Sequence, residues 1–318
     1  MTHVKRALIV GVDDYPEDQL TGCCADAEAL SQVLGRHANG EKNFECVTLT
    51  SPPSKVTRAS LRASLYELFR DPADAVYFHF SGHGTEHSIG GFLVTTDCDP
   101  YDPGVAMSEV LALANAAKAR EVVITLDCCH SGHLGAIPAV GTERVILADE
   151  VSIITATRSD QVAIEEGGKG VFTSLLVEAL NGGAAGVLGE VTTAGVYAYI
   201  DNALGAWMQR PLFKANVSRF TTLRQSAPRL EREQLRRITR RLPLPAEELQ
   251  LSPEYEPDSE PHDEEKEACF RDLTDYRYAG LVEPVGEKYM YYAAMKSKSC
   301  RLTLLGRYYW RLVNEDRI

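Results

Sequence analysis

Two short stretches hold the residue types that make and break acyl bonds. One is Ser81-Gly82-His83-Gly84, and the other is Asp127-Cys128-Cys129-His130-Ser131-Gly132. A thiol becomes a strong nucleophile when a base takes its proton, and an imidazole is a common base for that step. Each stretch follows an apolar run, Ala75–Phe80 and Val122–Leu126, that reads as a buried strand. In open parallel sheets, reactive groups collect beyond the carboxyl ends of the strands. Neighbouring strands lie roughly 5 Å apart, so His83 and one of the cysteines can face each other across the sheet rim.

Strand alternation selects the cysteine. Leu126 and Cys128 project to one side, Asp127 and Cys129 to the other. Cys129 then stands at the exposed rim as the candidate nucleophile, with His83 as its base, while Cys128 packs inward as a small apolar residue. His130 is a poorer base, because immediate neighbours project in different directions. Glycines on both sides of His83 allow tight turning and close approach of a substrate. The backbone N–H groups of Gly84 and Cys129 can form an oxyanion hole for acyl transfer. Asp127 shares the side of Cys129, and a carboxylate there raises a thiol pKa instead of lowering it. It suits the floor of a pocket for a basic side chain, which is a matter of specificity.

Metal chemistry fits these residues less well. Cys128, Cys129, His130 and His133 contain zinc-ligand types, but adjacent cysteines suit one tetrahedral ion poorly and no second Cys-x-x-Cys spacing exists. No metal or cofactor is expected. Asp13-Asp14, after the first apolar run, is similar to the acidic pair of a phosphoacceptor receiver domain. Such a domain is much shorter and needs no Cys–His pair, so these two read as loop residues.

The elements that must position the pair alternate along the first two-thirds of the chain. Strands are expected at Ala7–Val12, Phe44–Leu49, Ala75–Phe80, Val122–Leu126 and Val151–Thr155, each apolar on both faces as in a covered parallel sheet. Helices are expected around Ala25–Leu34, Arg58–Phe69, Ser108–Ala117 with Ser108 as N-cap, Thr173–Leu180 and Ala194–Leu204. This rhythm implies an α/β domain with a mostly parallel central sheet flanked by helices. We assign residues 1–226 to a catalytic domain, 227–265 to a helix and an acidic Pro-rich linker, and 266–318 to a small α+β module.

The linker assignment rests on residues 247–265, which hold nine acidic residues and no Lys or Arg. Residues 266–318 carry 10 Lys+Arg against 7 Asp+Glu. They read as a helix at Glu267–Leu281, strands around Tyr289–Ala293 and Ser299–Thr303, and a helix at Leu304–Leu312, an order that suits a winged-helix-like module. Lys288, Lys296, Lys298 and Arg301 on such a wing can touch phosphate. The aromatic residues Tyr289, Tyr291, Tyr292, Tyr308, Tyr309 and Trp310 favour a regulatory protein partner over nucleic acid.

Composition narrows the compartment and the partners. The 318 residues carry a net charge of −12, which argues against wholesale nucleic-acid binding and permits basic peptide substrates. No apolar run approaches the roughly 20 residues of a membrane span, and Ala7–Val12 is too short for a signal peptide. The eight cysteines include two adjacent pairs, Cys23-Cys24 and Cys128-Cys129, a spacing unlike a secreted disulfide framework. Reduced thiols in the cytoplasm are expected.

The two reactive stretches together resemble the paired motifs of metacaspases and their bacterial relatives, within the caspase family of cysteine peptidases. The 46 residues from His83 to Cys129 agree with the roughly 50 expected there. Leu20-Thr21-Gly22-Cys23-Cys24-Ala25-Asp26 and Gly170-Val171-Phe172-Thr173 extend the resemblance, which covers about residues 5–225. It implies a caspase-haemoglobinase fold and a cysteine endopeptidase acting on protein substrates. It further implies that Asp26 and Asp127 line an acidic S1 pocket, flanked by Cys23 and Ser81, that takes Arg or Lys at P1, the residue before the cut. The Gln-Ala-Cys-Arg-Gly type of motif found in animal caspases, which cut after Asp, is absent.

Many metacaspases bind activating calcium through acidic residues. Asp97 matches one ligand, but the helix start here reads Met107-Ser108-Glu109, so no calcium requirement is expected. Arg144, between Leu134 and Glu150, is a natural place for self-cleavage. The resemblance also suggests a role in regulated cell death, stress response or antiviral defence. The competing reading is a catalytically silent caspase-fold scaffold whose C-terminal module binds protein or DNA.

Overall fold

Long apolar runs set the centre of the first unit. The computed structural model describes residues 4–87, 90–128, 146–156, 165–166, 169–204, 211–257, 259–260 and 262–318. In chain order the first unit, Met1–Ala227, contains β1 (Lys5–Val12), α1 (Cys23–Gly35), β2 (Glu45–Ser51), α2 (Arg58–Arg70), β3 (Ala75–Ser81), β4 (Gly84–His87), β5 (Gly90–Asp99), β6 (Asp102–Ala106), α3 (Met107–Ala116), β7 (Val122–Asp127), β8 (Val151–Thr155), β9 (Glu165–Glu166), β10 (Lys169–Gly170), α4 (Val171–Glu178), β11 (Glu190–Thr192), α5 (Thr193–Leu204), β12 (Leu212–Asn216) and β13 (Thr222–Gln225). A six-stranded sheet runs β12-β8-β7-β3-β1-β2. All its pairings are parallel except that of β12 with β8.

Period-2 alternation divides the core into two layers. Leu8, Val10, Phe78, Phe80, Ile124 and Leu126 face α2 and α3 in one buried cluster. Ile9, Tyr77 and Val123 face α1, α4 and α5 in the other. The expected strand positions therefore hold, with one exception in burial. The edge strand β2 is half open, and Val47 is 52% exposed.

One expectation fails, and two features were not anticipated. Ser108 does not cap α3, which begins at Met107 after Ala106 and has no side-chain cap. The chain from Gly84 to Ala106 forms a separate antiparallel sheet, β4-β5-β6. The strand β12, which has no counterpart among the expected strands, closes the mostly parallel main sheet antiparallel.

The second unit, Pro228–Ile318, contains α6 (Arg232–Arg236), α7 (Ile238–Arg241), β14 (Glu248–Gln250), α8 (Glu264–Tyr278), β15 (Val282–Val285), α9 (Met290–Met295), β16 (Ser299–Leu302) and α10 (Leu304–Asn314). Its sheet runs β14-β16-β15, all antiparallel. Two expectations fail here. The acidic stretch is not wholly a solvated linker, because β14 pairs with β16 and Leu251 is fully buried. The expected strand at Tyr289–Ala293 is the helix α9, which buries Met290, Ala293 and Ala294 at helical spacing. A helix therefore stands where the first strand of a wing was expected. Two of the basic residues expected on that wing are paired, Lys296 with Glu287 at 2.8 Å and Arg301 with Glu283 at 2.8 Å. Among the described residues, no helix is long and apolar enough to cross a membrane.

Candidate active site

The site is built on one row of the sheet. Gly11 of β1, Ser81 of β3 and Asp127 of β7 are register partners, all at the carboxyl ends of parallel strands. Gly11 is required there by close approach, since a Cβ would come 2.2 Å from the Cys23 carbonyl oxygen. The start of α1 thus lies directly over β1, and Cys23 and Asp26, three residues apart, share one face of its first turn. Asp13 fixes this helix start. Its carboxylate accepts from the N–H groups of Cys23 at 2.8 Å and Cys24 at 3.2 Å, satisfying donors that a helix leaves open. Asp13 is therefore a cap as well as a loop residue.

Cys23, Ser81, Asp26 and Asp127 come together and are all buried. Burial foremost pushes the Cys23 thiol pKa far up, and Ser81 hydrogen-bonds it. Burial and the adjacent Asp13 push Cys24 up to about 12. Both thiols stay protonated near neutral pH and make poor nucleophiles. Gly170 lies against both carboxylates, because a Cβ there would stand 2.3 Å from Asp127 Oδ2 and 3.0 Å from Asp26 Oδ2. Two acids so close repel each other unless donors or cations compensate them. The Gly170 N–H donates to Asp26 Oδ2 at 2.9 Å. Thr173 donates to Asp127 Oδ2 through its N–H at 3.1 Å and its hydroxyl at 2.7 Å.

His83 is held at three points. Its N–H donates to the Tyr15 hydroxyl at 2.9 Å, and its C=O accepts from Val94 N–H at 3.0 Å. Its Nε2 lies 2.6 Å from the carbonyl oxygen of Asp18. A carbonyl oxygen only accepts, so Nε2 carries a proton, and the tautomer this contact selects for the neutral ring has its lone pair on Nδ1. Gly82 makes this possible, as a Cβ there would come 2.4 Å from the Tyr15 hydroxyl. Gly84 follows His83 and opens β4 opposite Leu93. A cavity of about 420 Å³ opens beside His83, with Pro16, Asp18, Thr85, Cys98 and Pro100 in its wall.

Cys128 packs with Leu126 in the α2/α3 core. The proposed nucleophile Cys129, the neighbouring His130 and His133, and the proposed self-cleavage residue Arg144 lie outside the described residues. Asp97 is engaged by Arg58, whose N–H and Nε reach it at 2.9 and 3.3 Å. The same guanidinium pairs with Asp99 at 3.5 Å and Asp102 at 2.5 Å. Sequence reasoning missed the Asp18 carbonyl, Tyr15 and Arg58. The first is a backbone group with no side-chain signature, and the others lie far from both motifs in sequence.

Comparison with known proteins agrees with this architecture. A family model for the caspase domain matches residues 4–201. Metacaspase-1 of Emericella nidulans is 24% identical over 180 residues, covering 46% of this chain and 41% of that protein. A protein named inactive metacaspase-4, of Trypanosoma brucei brucei, is 30% identical over 159 residues, 42% of each chain. The chain spans less than half the length of these curated relatives. The crystal structure of Caspase-1 from Spodoptera frugiperda superposes with a TM-score of 0.52 at 15% identity, covering 70% of this chain and 91% of that one. That likeness concerns the fold, a mostly parallel sheet flanked by helices. With the matched model spanning more than half its length, this chain belongs to the caspase-domain family.

Proposed function

We propose that the chain is a cysteine endopeptidase that cuts protein substrates after Arg or Lys. The observation that carries this reading is the meeting of Asp26 and Asp127 over Gly170, at the same sheet end as His83. A buried pair of carboxylates favours a cation between them, and an arginine fork matches such acceptors well. Entry of that side chain would exchange its own donors for the Gly170 amide.

In the proposed reaction, His83 Nδ1 takes the Cys129 thiol proton. The thiolate attacks the carbonyl carbon after the basic residue, forming a C–S bond. The N–H groups of Gly84 and Cys129 hold the oxyanion. The intermediate collapses, breaking the C–N bond, and His83 returns its proton to the leaving amine. Water activated by His83 then hydrolyses the thioester. Cleavage at Arg144 within the same chain would follow the same chemistry.

The test is a fluorogenic peptide panel with Arg, Lys, Ala or Asp at P1, run on wild type, Cys129→Ala, His83→Ala and Asp127→Asn. Asp127→Asn keeps an acceptor for Thr173 but loses the charge, so it separates pocket from helix cap. Cleavage after Arg that survives Cys129→Ala, or is unchanged in Asp127→Asn, would sink the reading. Absence of cleavage from pure, folded wild type, with no labelling of Cys129 by an Arg-chloromethylketone, would favour the silent scaffold instead. The free thiols among the described cysteines are compatible with a cytoplasmic setting. A regulatory protein partner for the second unit is supported by exposed Tyr289, Tyr291, Tyr292, Tyr308 and Leu304.

A further inference from the structure

Strand β3 carries polar side chains in the middle of an apolar run. Tyr77, His79 and Ser81 fall on one face at period 2, and across the register they oppose Val123, Thr125 and Asp127 of β7. Tyr77, His79, Thr125 and Thr173 are all at most 1% exposed. A buried polar group is costly unless paired. Here each has a partner. Tyr77 Oη and Thr125 Oγ1 lie 3.0 Å apart, and Thr125 Oγ1 is 2.9 Å from His79 Nδ1. His79 Nε2 is 3.5 Å from Thr173 Oγ1, the longest link, and Thr173 Oγ1 is 2.7 Å from Asp127 Oδ2.

The anion at one end orders the whole chain. An ionised carboxylate only accepts, so the Thr173 hydroxyl gives its hydrogen to Asp127. Its lone pair then accepts from His79 Nε2–H. That tautomer leaves Nδ1 bare, and of the two acceptors within reach of the Thr125 hydroxyl hydrogen, Nδ1 at 2.9 Å and Tyr77 Oη at 3.0 Å, the relay gives it to Nδ1, so that the Tyr77 hydroxyl turns to donate to Thr125. Four donors point the same way, and such chains polarise each other cooperatively. Full burial pushes the His79 pKa down to about 3, consistent with a neutral ring in this role.

We propose that Tyr77, Thr125, His79 and Thr173 form a one-directional hydrogen-bond relay that positions Asp127 as the fixed anion recognising the basic P1 side chain. The inference rests on the pocket reading above and adds the positioning residues behind it. None of the four touches substrate in this account; they act through Asp127.

The experiment uses the full chain. Thr173→Val is expected to raise KM for a P1-Arg peptide about tenfold, the worth of one hydrogen bond to a charged group, while kcat moves less than about twofold. Thr173→Ser, which keeps the hydroxyl, restores KM. Tyr77→Phe shifts KM in the same direction by a smaller factor, about two- to threefold, as only the far donor is lost. The ratio of kcat/KM for P1-Arg over P1-Ala falls with each. Thermal unfolding of each variant checks that the fold is kept. If Thr173→Val does not fold, Tyr77→Phe and the His79 tautomer decide. Long-range nitrogen–proton NMR is expected to show His79 neutral and protonated on Nε2. An Nδ1-protonated ring, or folded Thr173→Val with wild-type KM and P1 ratio, overturns the relay. If wild type cleaves nothing, the protease reading has failed, and the NMR result alone judges the relay.

Discussion

The Nε2 atom of His83 lies 2.6 Å from the main-chain oxygen of Asp18, a residue in the left-handed region at φ 53°. This contact sets the tautomer that the proposed role of His83 as base needs, and it depends on a conformation that Asn and Gly tolerate and β-branched residues do not. Asp18→Asn is expected to keep kcat near wild type. Asp18→Val should move the carbonyl and lower kcat about tenfold, the worth of one hydrogen bond at about 1.4 kcal/mol. Steady-state kinetics on a P1-Arg peptide reads the difference, and equal kcat for the two variants would remove the carbonyl from the mechanism.

Gly170 meets both pocket acids, so Gly170→Ala drives a methyl group into Asp127 and Asp26. Overpacking of this kind costs about 1–3 kcal/mol. Cleavage after Arg should collapse, while alkylation of Cys129 by iodoacetamide continues at a rate close to wild type. Loss of both in a folded protein would mean that Gly170 supports the nucleophile, not the pocket.

Asp13 closes the start of α1. Asp13→Ala should lower the free energy of unfolding by about 1 kcal/mol, as for other lost N-caps, with Asp13→Asn recovering most of it. Urea titration measures this. An unchanged midpoint in Asp13→Ala would show that the cap contributes nothing.

His79 makes stability pH-dependent. The unfolded ring takes a proton near pH 6.5, while burial in the folded chain pushes its pKa down to about 3. Between those values the unfolded chain binds a proton that the native chain does not. Stability is therefore whole above pH 6.5 and falls as pH drops toward 3, by at most about 1.4 kcal/mol per pH unit. In His79→Gln this component should vanish from the difference between acid and neutral unfolding curves, whatever the variant's overall stability. Parallel curves for the two proteins would contradict it.

Arg58 already places a cation among Asp97, Asp99 and Asp102. A chelator such as EGTA is expected to leave peptide cleavage unchanged. A wild-type rate that falls with EGTA and returns with calcium would show that these acids, or others, take a metal.

Much of the first unit could be read from its residues because its central strands are continuous apolar runs between polar helix faces. The apolar run Val151–Thr155 coincides with β8 to the residue, and the partnership of β3 with β7, needed to join the two motifs, is seen in the register of Ser81 with Asp127. What escaped has physical reasons. The sheet β4-β5-β6 contains Gly90, Gly91 and Gly104 and several polar residues, and so shows no clean alternation. The tyrosines of α9 have strand propensity, but burial at positions 290, 293 and 294 follows a helical period. Acidic composition around Glu248 masked a strand that buries its neighbour Leu251. His79 looked like part of an apolar strand, and only its partners from β7 and α4 reveal a polar path.

The row of the proposed pocket joins distant parts of the chain. Gly11, Cys23 and Asp26 come early, Ser81 and Asp127 from the middle, and Gly170 and Thr173 close the set. On the reading proposed above, the chain is made with His83 and Cys129 already in place before Gly170 and Thr173 are added. If the two carboxylates do select the target, selectivity is the last property the row acquires during synthesis, because the groups that hold them arrive only with β10 and α4.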